Sequence, residues 1–296
     1  MREGVEYRIT HIKVCILRYS LFDIRYSFFS VHLYFFYGMS RYRTLVQNIP
    51  VMLPKKLCAI LLLTTCYNCL PAQTGEQTLL RMHNRYAGKW YKTFTFVQQT
   101  SIYRNDSLQR TATWYEAAQF PHDLRIDMED PKNGNATIYR KDSTYRFQNG
   151  KLARATAGTN PFVFLIGGLY SVSFDSARKY LLADGFDLTK GYSTDWKGRK
   201  ALVIGATSGD TTSKQLWVDA EHFYILRYIE KTRGTLMDVH MSKQIPAGGG
   251  WTETWVEFYF DGLLRQTEKY NDIKADRPLD PQLFDPALFG KTHWMQ

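Results

Sequence analysis

Histidine and carboxylate side chains are the first residues to search for chemistry, and in this sequence none are spaced to form a local site. The seven histidines include no HxxxH or HxH pair, which excludes a zinc site built on local spacing. Glu253 and Glu257 are four residues apart on a predicted strand. They share one face there, but at about 13 Å apart they are too distant for one metal ion. We expect both to be solvated and to face outward.

Motifs of the common enzyme classes are also missing. No G-x-S-x-G elbow, P-loop or G-x-G-x-x-G motif occurs after residue 72, and the Gly248-Gly249-Gly250 run is typical only of a flexible loop. We therefore predict that the protein is not an enzyme, and we expect neither a metal nor a cofactor.

All four cysteines precede residue 73, so the rest of the chain has no disulfide, thiolate nucleophile or cysteine-containing zinc site. Cys66 is the one with a specific interpretation. Leu63-Thr64-Thr65-Cys66 resembles a lipobox, in which the cysteine becomes the acylated N-terminus of a membrane-anchored lipoprotein.

Residues 52–72 have the composition of a cleavable signal peptide. Lys55-Lys56 form a basic start, Leu57–Thr65 is an apolar run, and Ala72 offers a small residue for cleavage. The apolar run is much shorter than the roughly 20 residues that span a bilayer. We predict export to the periplasm, with anchoring through Cys66 as the alternative.

Residues 1–51 contain eleven Phe and Tyr residues that follow neither a strand nor a helix period. We interpret this segment as upstream sequence read as protein, with the true start at Met52. The native protein would then be a single domain over residues 73–296.

The net charge of +10 would by itself suggest an anionic partner, but the distribution of the charges along the chain does not support one. Residues 73–296 hold 29 Lys and Arg against 25 Asp and Glu, scattered without a basic stripe. Nucleic acid is therefore not an expected partner.

The elements predicted for residues 73–296 are mostly short strands. Residues 76–91 carry Leu79, His83 and Trp90 on one side of an amphipathic helix, and Phe174–Leu182 is a second helix. The remaining chain alternates apolar and polar residues at period 2 between turn signals, over about ten to twelve strands. This favours an α+β fold that is mainly antiparallel β: an open curved sheet, or half-barrel, with two or three helices in or near its concave face.

Bulky apolar residues on these strands predict either a filled core or an apolar cavity. The unbroken apolar run 161–170 must be buried, and Gly167-Gly168 would let it hinge, so it is either a lid over the concave face or an ordinary core element. The candidate ligand-binding residues on strands and in the lid are Phe94, Phe96, Trp114, Leu124, Ile126, Tyr139, Phe162, Phe164, Leu165, Leu169 and Trp217.

Several short motifs occur in a fixed order: the first-strand sequence Phe94–Thr100, the Trp114…Pro121…Leu124-Arg125-Ile126 series ending at Asp130-Pro131, the apolar Asn160–Ile166 and the closing Leu283–Pro286. This order resembles the periplasmic lipoprotein carrier family, LolA-like proteins, and related outer-membrane lipoprotein-sorting proteins. In the best-known carrier an Arg before the strand proline helps to close the lid. Here Phe120 takes that place, and Arg125 is the nearest substitute.

The resemblance implies a monomeric envelope carrier that shelters the acyl chains of a lipid or lipoprotein on the concave face of a half-barrel and meets an envelope protein partner. The alternative is a non-catalytic structural or interaction module of the envelope, with the same fold and a filled core.

Overall fold

The structure is a computed structural model that describes residues 74–295. The proposed upstream segment 1–51, the signal peptide 52–72 and the lipobox Cys66 lie outside the described residues. Within the described range, no helix combines the length and apolar character needed to cross a membrane.

Fifteen strands occur in the described chain, and thirteen of them form one antiparallel sheet. They are β1 (Thr93–Arg104), β2 (Ser107–Gln119), β3 (Asp123–Met128), β4 (Ala136–Arg140), β5 (Ser143–Gln148), β6 (Lys151–Ala157), β7 (Gly191–Trp196), β8 (Arg199–Ile204), β9 (Gln215–Asp219), β10 (Ile225–Thr232), β11 (Thr235–Ser242), β12 (Ile245–Ala247), β13 (Gly250–Thr252), β14 (Trp255–Phe260) and β15 (Leu263–Ala275). The short strands β12 and β13 form a separate hairpin.

The sheet consists of two meanders joined at its centre. One meander runs through β1 to β6 and the other through β7 to β15, in the spatial order β6-β5-β4-β3-β2-β1-β15-β14-β11-β10-β9-β8-β7. The seam pairs β1 with β15, from Phe94 opposite Ala275 to Ile102 opposite Gln266. The outer strands β6 and β7 do not pair with each other. The predicted fold class, a mainly antiparallel open sheet with helices, is confirmed.

The first helix packs on strands β7 and β8 of this sheet. Helix α1 (Gly75–Tyr86) begins with a reciprocal pair of hydrogen bonds between Thr74 and Gln77 and buries Leu79 and Met82. It ends five residues before the predicted boundary because Ala87 leaves the helical conformation and Gly88 adopts a φ of +72°.

The apolar run 161–170 is helical. It comprises α2 (Pro161–Val163), a π-helical turn (Phe164–Gly168) and α3 (Leu169–Ser171), and it is followed by α4 (Phe174–Ala183). Asn160 caps the first turn by accepting a hydrogen bond from the backbone N–H of Phe162 at 3.0 Å.

Both faces of the sheet are partly covered. Phe94 and Phe96 on β1 and their neighbours across the seam face the concave side, where the helices lie. On the convex side, the segment after β15 places Leu283, Phe284 and Trp294 against Ala117. The sheet is therefore not a one-layer structure, and its interior lies on the concave side.

Candidate ligand-binding cavity

A cavity of about 430 Å³ lies between the concave face and the chain from Asn160 to Ile166. Its walls come from both meanders, since residues of β1 to β4 and of β10, β11, β14 and β15 all reach it. Most of the lining is apolar. The position across the β1–β15 seam means that neither meander alone can form this site.

The strand alternation brings seven of the eleven sequence-predicted residues to the cavity wall. They are Phe94, Phe96, Trp114, Leu124, Ile126, Tyr139 and Phe162. The cross-strand register explains their convergence. Phe94 lies opposite Ala118, and Ala118 lies opposite Leu124, so one row of concave residues crosses three strands.

The other four predicted residues do not line the cavity. Phe164, Leu165 and Leu169 point into the adjoining core, where each is at most 3% exposed. Trp217 lies on the opposite face of the sheet, in a cluster with Ala201 and Val203, because its position on β9 has the convex parity.

One side of the helical segment 161–171 covers the cavity. Phe162 packs edge-on against Tyr228 of β10 and Phe258 of β14, with ring centroids 5.2 and 6.2 Å apart. Val163 and Ile166 complete the cover. The opposite side of the segment is fixed to the helices, since Phe164 stacks on Tyr180 of α4 at 3.7 Å.

Two glycines allow this segment to approach the β2–β3 turn closely. A Cβ on Gly167 would lie 2.5 Å from the ring of Phe120, and one on Gly168 would lie 2.8 Å from the carbonyl oxygen of Pro121. Both positions have ordinary helical backbone, so close packing accounts for these glycines.

A polar patch interrupts the apolar wall at the seam. Glu268 on β15 accepts hydrogen bonds from the Tyr270 hydroxyl at 2.8 Å and from Gln266 Nε2 at 2.6 Å. Glu116 on β2 and Glu253, which precedes β14, line the same cavity. All three glutamates are at most 7% exposed.

Burial changes the acidity of this patch. Desolvation raises the pKa of Glu268 to about 7, against the hydrogen bonds from Tyr270 and Gln266 that lower it. Burial and the nearby Glu268 also raise the pKa of Glu253 to about 7. For Glu116, burial and repulsion from Glu268 raise the carboxyl pKa well above its usual value of 4.5. The carboxyl groups of Glu253 and Glu268 are therefore partly protonated near neutral pH.

The sequence interpretation of Glu253 as a solvated residue is wrong. Glu253 is 5% exposed and lies in the break between β13 and β14, while Glu257 on β14 faces the convex side near Lys197. The predicted strand Thr252–Phe260 is interrupted there, and period-2 alternation does not carry across an interruption. Glu116 was detectable in principle as a single acid between Trp114 and Ala118 on one face of its strand.

Arg125 does not substitute for a lid arginine. It is 2% exposed on the convex side, where it binds Asp127 through two hydrogen bonds of 2.8 and 2.9 Å. It also donates to the carbonyl oxygens of Leu283 and Thr292. Its role is to hold the C-terminal segment on β3.

The cavity offers an apolar binding surface and hydrogen-bonding groups. No three His, Cys, Asp or Glu residues of 74–295 are placed to hold one metal ion. With these groups, the cavity can exclude water from an apolar ligand and form hydrogen bonds with it at the polar patch.

Solved structures share this fold. A DUF1329 family protein from Desulfovibrio piger matches with a TM-score of 0.52 and 16% identity over 73% of this chain and 97% of its own. An outer membrane lipoprotein-sorting protein domain from Vibrio parahaemolyticus matches with a TM-score of 0.50 and 11% identity over 72% and 97%. A LolA superfamily protein from Nitrosomonas europaea has a TM-score of 0.47 and 11% identity, over 73% and 99%.

No protein-family model matches the sequence, and a search of curated proteins finds no relative. At these identities the likeness concerns the fold. The chain has a LolA-like fold, as its motif order predicted.

Proposed function

We propose that this protein is an envelope carrier that shelters the acyl chains of a lipid or lipoprotein in the cavity on its concave face. The observation that carries the proposal is the 430 Å³ cavity between the sheet and residues 160–166. Binding pockets for small ligands generally have volumes of about 300–1,000 Å³.

The alternative from sequence, an interaction module with a filled core, requires an interior void well below that range. The observed volume favours a carrier over such a module. Aromatic and aliphatic residues from both meanders supply the apolar wall that an acyl chain needs.

Transfer of an acyl chain into such a wall is favourable without a catalytic group. Each buried CH₂ contributes about 0.8 kcal/mol, so a chain of moderate length offsets the entropy lost on association. A non-enzymatic carrier is the role that this chemistry supports, with a monomer as the binding unit.

We place the carrier in the periplasm. The signal-like composition of residues 52–72 supports this location, and the names of the lipoprotein-sorting and LolA superfamily structures agree with it. A membrane-anchored form through Cys66 is the variant of this proposal, and an envelope protein is the expected second partner.

The test is displacement of an environment-sensitive alkyl probe by unlabelled amphiphiles, on the wild type and on a variant whose cavity is filled. Ala118 is 5% exposed and lines the cavity, so Ala118→Trp should occupy part of the space and weaken probe binding at least tenfold. The matched control is Ala153→Trp, the same change at an exposed position on edge strand β6, which should bind as the wild type does.

Melting temperatures of both variants show whether the domain remains folded. A folded wild type that takes up no alkyl probe, or a folded Ala118→Trp variant that binds it unchanged, would contradict the carrier.

A further inference from the structure

The polar patch of the cavity has a composition that an acyl chain alone does not require. Four glutamates line the cavity: Glu116, Glu230, Glu253 and Glu268. Among residues 74–295, no Lys, Arg or His lines it with them. The charged side chains of the wall are therefore all acidic.

Only Glu230 has a cationic partner. Its carboxylate lies 3.0 Å from Nζ of Lys214, and the Tyr228 hydroxyl donates to it at 3.0 Å. The charge of Glu230 is thus compensated within the protein. Glu116, Glu253 and Glu268 form no ion pair with a cationic side chain of residues 74–295.

Glu116 is the least satisfied of the three. It is 6% exposed, it lines the cavity, and its carboxyl group has no hydrogen-bond partner among residues 74–295. Its position on β2, between Trp114 and Ala118 in the same concave row, turns the side chain toward the enclosed space. A buried acid without a partner is costly, and a Met of similar size would avoid that cost.

The two neighbouring glutamates offer Glu116 no positive charge. Glu268 already receives its hydrogen bonds from Tyr270 and Gln266. Glu253 is separated from any cation and lies beside the buried hydroxyl of Tyr91. A group that donates hydrogen bonds and carries positive charge would complement these carboxyl groups.

We infer that the occupant of the cavity is an amphiphile with an amino group, whose ammonium end lies at Glu116, Glu253 and Glu268 while its hydrocarbon chain follows the apolar wall. This inference rests on the proposed carrier function and specifies the ligand class. Amphiphiles that end in a carboxylate or phosphate would place like charge against the glutamates and should bind more weakly.

The experiment uses three probes with the same twelve-carbon chain: dodecylamine, dodecanol and dodecanoate. Each competes with the alkyl probe below its critical micelle concentration at pH 8, on the wild type and on Glu116→Gln and Glu268→Gln variants. We expect the amine to bind at least tenfold more tightly than the alcohol, and the carboxylate at least tenfold less tightly.

Each Gln variant should reduce the amine-to-alcohol preference at least fivefold while leaving the affinity for dodecanol within about twofold. Glu257→Gln is the matched control, because Glu257 faces the convex side. It should retain the full preference. Glu→Gln removes a buried charge, and melting temperatures verify that the variants remain folded.

Two further probes separate the sources of an amine. One is a twelve-carbon lysophosphatidylethanolamine and the other is a diacylated lipopeptide with a free N-terminal amine, compared with its N-acylated form. Tighter binding of the free-amine lipopeptide than of its N-acylated form supports the inference and assigns the amine to a lipoprotein. Tight binding of the lysolipid supports it and assigns the amine to a head group.

The outcomes distinguish the two proposals. If none of the three twelve-carbon probes binds, the carrier function fails and the inference fails with it. If dodecanol binds but the amine has no advantage, or if the Gln variants keep the wild-type preference, the carrier function stands and the amine inference is overturned.

Discussion

Buried carboxyl groups give this protein a pH dependence that can be assigned to single residues. In an unfolded chain Glu253 and Glu268 would titrate near 4.5, whereas burial raises the pKa of each to about 7 in the fold. Between those values the folded state holds more protons than the unfolded state. The stabilising contribution is therefore complete below about pH 4.5 and is lost as the pH rises through 7.

We expect the wild type to lose stability relative to a Glu253→Gln, Glu268→Gln variant between pH 5 and pH 8, by on the order of 2–3 kcal/mol per carboxyl. Urea unfolding at several pH values measures the difference. Other titrating groups near the patch, namely Glu116, Glu230, Tyr91, Tyr139 and Tyr270, are present in both proteins. Of these, Glu116 loses the repulsion from Glu268 in the variant, which lowers its pKa. Asp238 is also present in both proteins, so its titration does not contribute to the difference between them. Burial raises the pKa of Asp238, but hydrogen bonds from Arg227 and His240 lower it to about 2.

Glu257→Gln, on the convex face, should follow the wild-type curve. Parallel curves for the wild type and the double variant would show that the two acids do not carry the pH dependence.

The apolar and the acidic residues of the cavity were not equally predictable. Phe94 and Phe96 follow the strand period, so their common face could be read from the sequence. Glu116 breaks an apolar row, and Glu268 follows the polar Gln266 on its face of the strand. A local pattern gives a charged residue no reason to face inward. Glu253 was misplaced because it lies in a strand interruption that the pattern does not reveal.

At the scale of elements, the helical segment 161–171 has two sides with different roles. Phe162 and Ile166 face the cavity, whereas Leu165 and Leu169 face the core. Leu165 is 1% exposed. A change at Leu165 should therefore act on the fold, and a change at Phe162 should act on the cavity.

We expect Leu165→Arg to lower the free energy of unfolding by about 3 kcal/mol or more, because it buries an unpaired charge. Leu152→Arg is the control, since Leu152 is 54% exposed on β6 and should tolerate the change. Chemical denaturation and probe binding per folded molecule are measured together. A small loss of stability with a large loss of binding would instead identify Leu165 as part of a mobile lid.

The predicted burial of this segment follows from its composition, but its conformation does not. A continuous apolar run is compatible with a buried strand or a buried helix, and its composition does not distinguish them. The end of α1 is a similar case: the apolar spacing continued to Trp90, yet the chain turns at Ala87 and Gly88. Backbone conformation at such points depends on tertiary packing.

At the scale of the whole molecule, a buried ion pair connects the sheet to the C-terminal segment. Asp127 is fully buried, accepts two hydrogen bonds from Arg125 and lies 3.1 Å from Nε2 of His293. Arg125 in turn donates to the carbonyl oxygens of Leu283 and Thr292. The Arg125–Asp127 pair therefore binds the C-terminal segment at two places, at Leu283 and at Thr292-His293.

Replacing Asp127 by Asn should cost about 3 kcal/mol, because Arg125 would remain buried without its countercharge. Asp195→Asn is the matched control: Asp195 pairs with Lys200 at 3.0 Å on the surface, and its loss should cost no more than about 0.5 kcal/mol. Denaturant unfolding of the two variants gives the comparison. Equal effects would show that the Asp127 network is not a fastening point.

The fold class was predictable because strand alternation repeats along most of residues 93–275. The strand order was not. Local patterns identify neighbours in sequence, such as β1 and β2, but the pairing of β1 with β15 is a relation between distant segments that no local period encodes.

That central seam sets the order in which the molecule can be completed. Phe94 pairs with Ala275, so the first strand of the sheet has no partner on one side until nearly the whole chain is available. A chain that emerges from its N-terminus, from a ribosome or a translocation channel, can assemble β1 to β6 but must leave an open hydrogen-bonding edge and half a cavity. Pairing across so long a sequence separation slows folding. Synthesis of the last strand, β15, is thus the event that both closes the sheet's interior edge and creates the binding site.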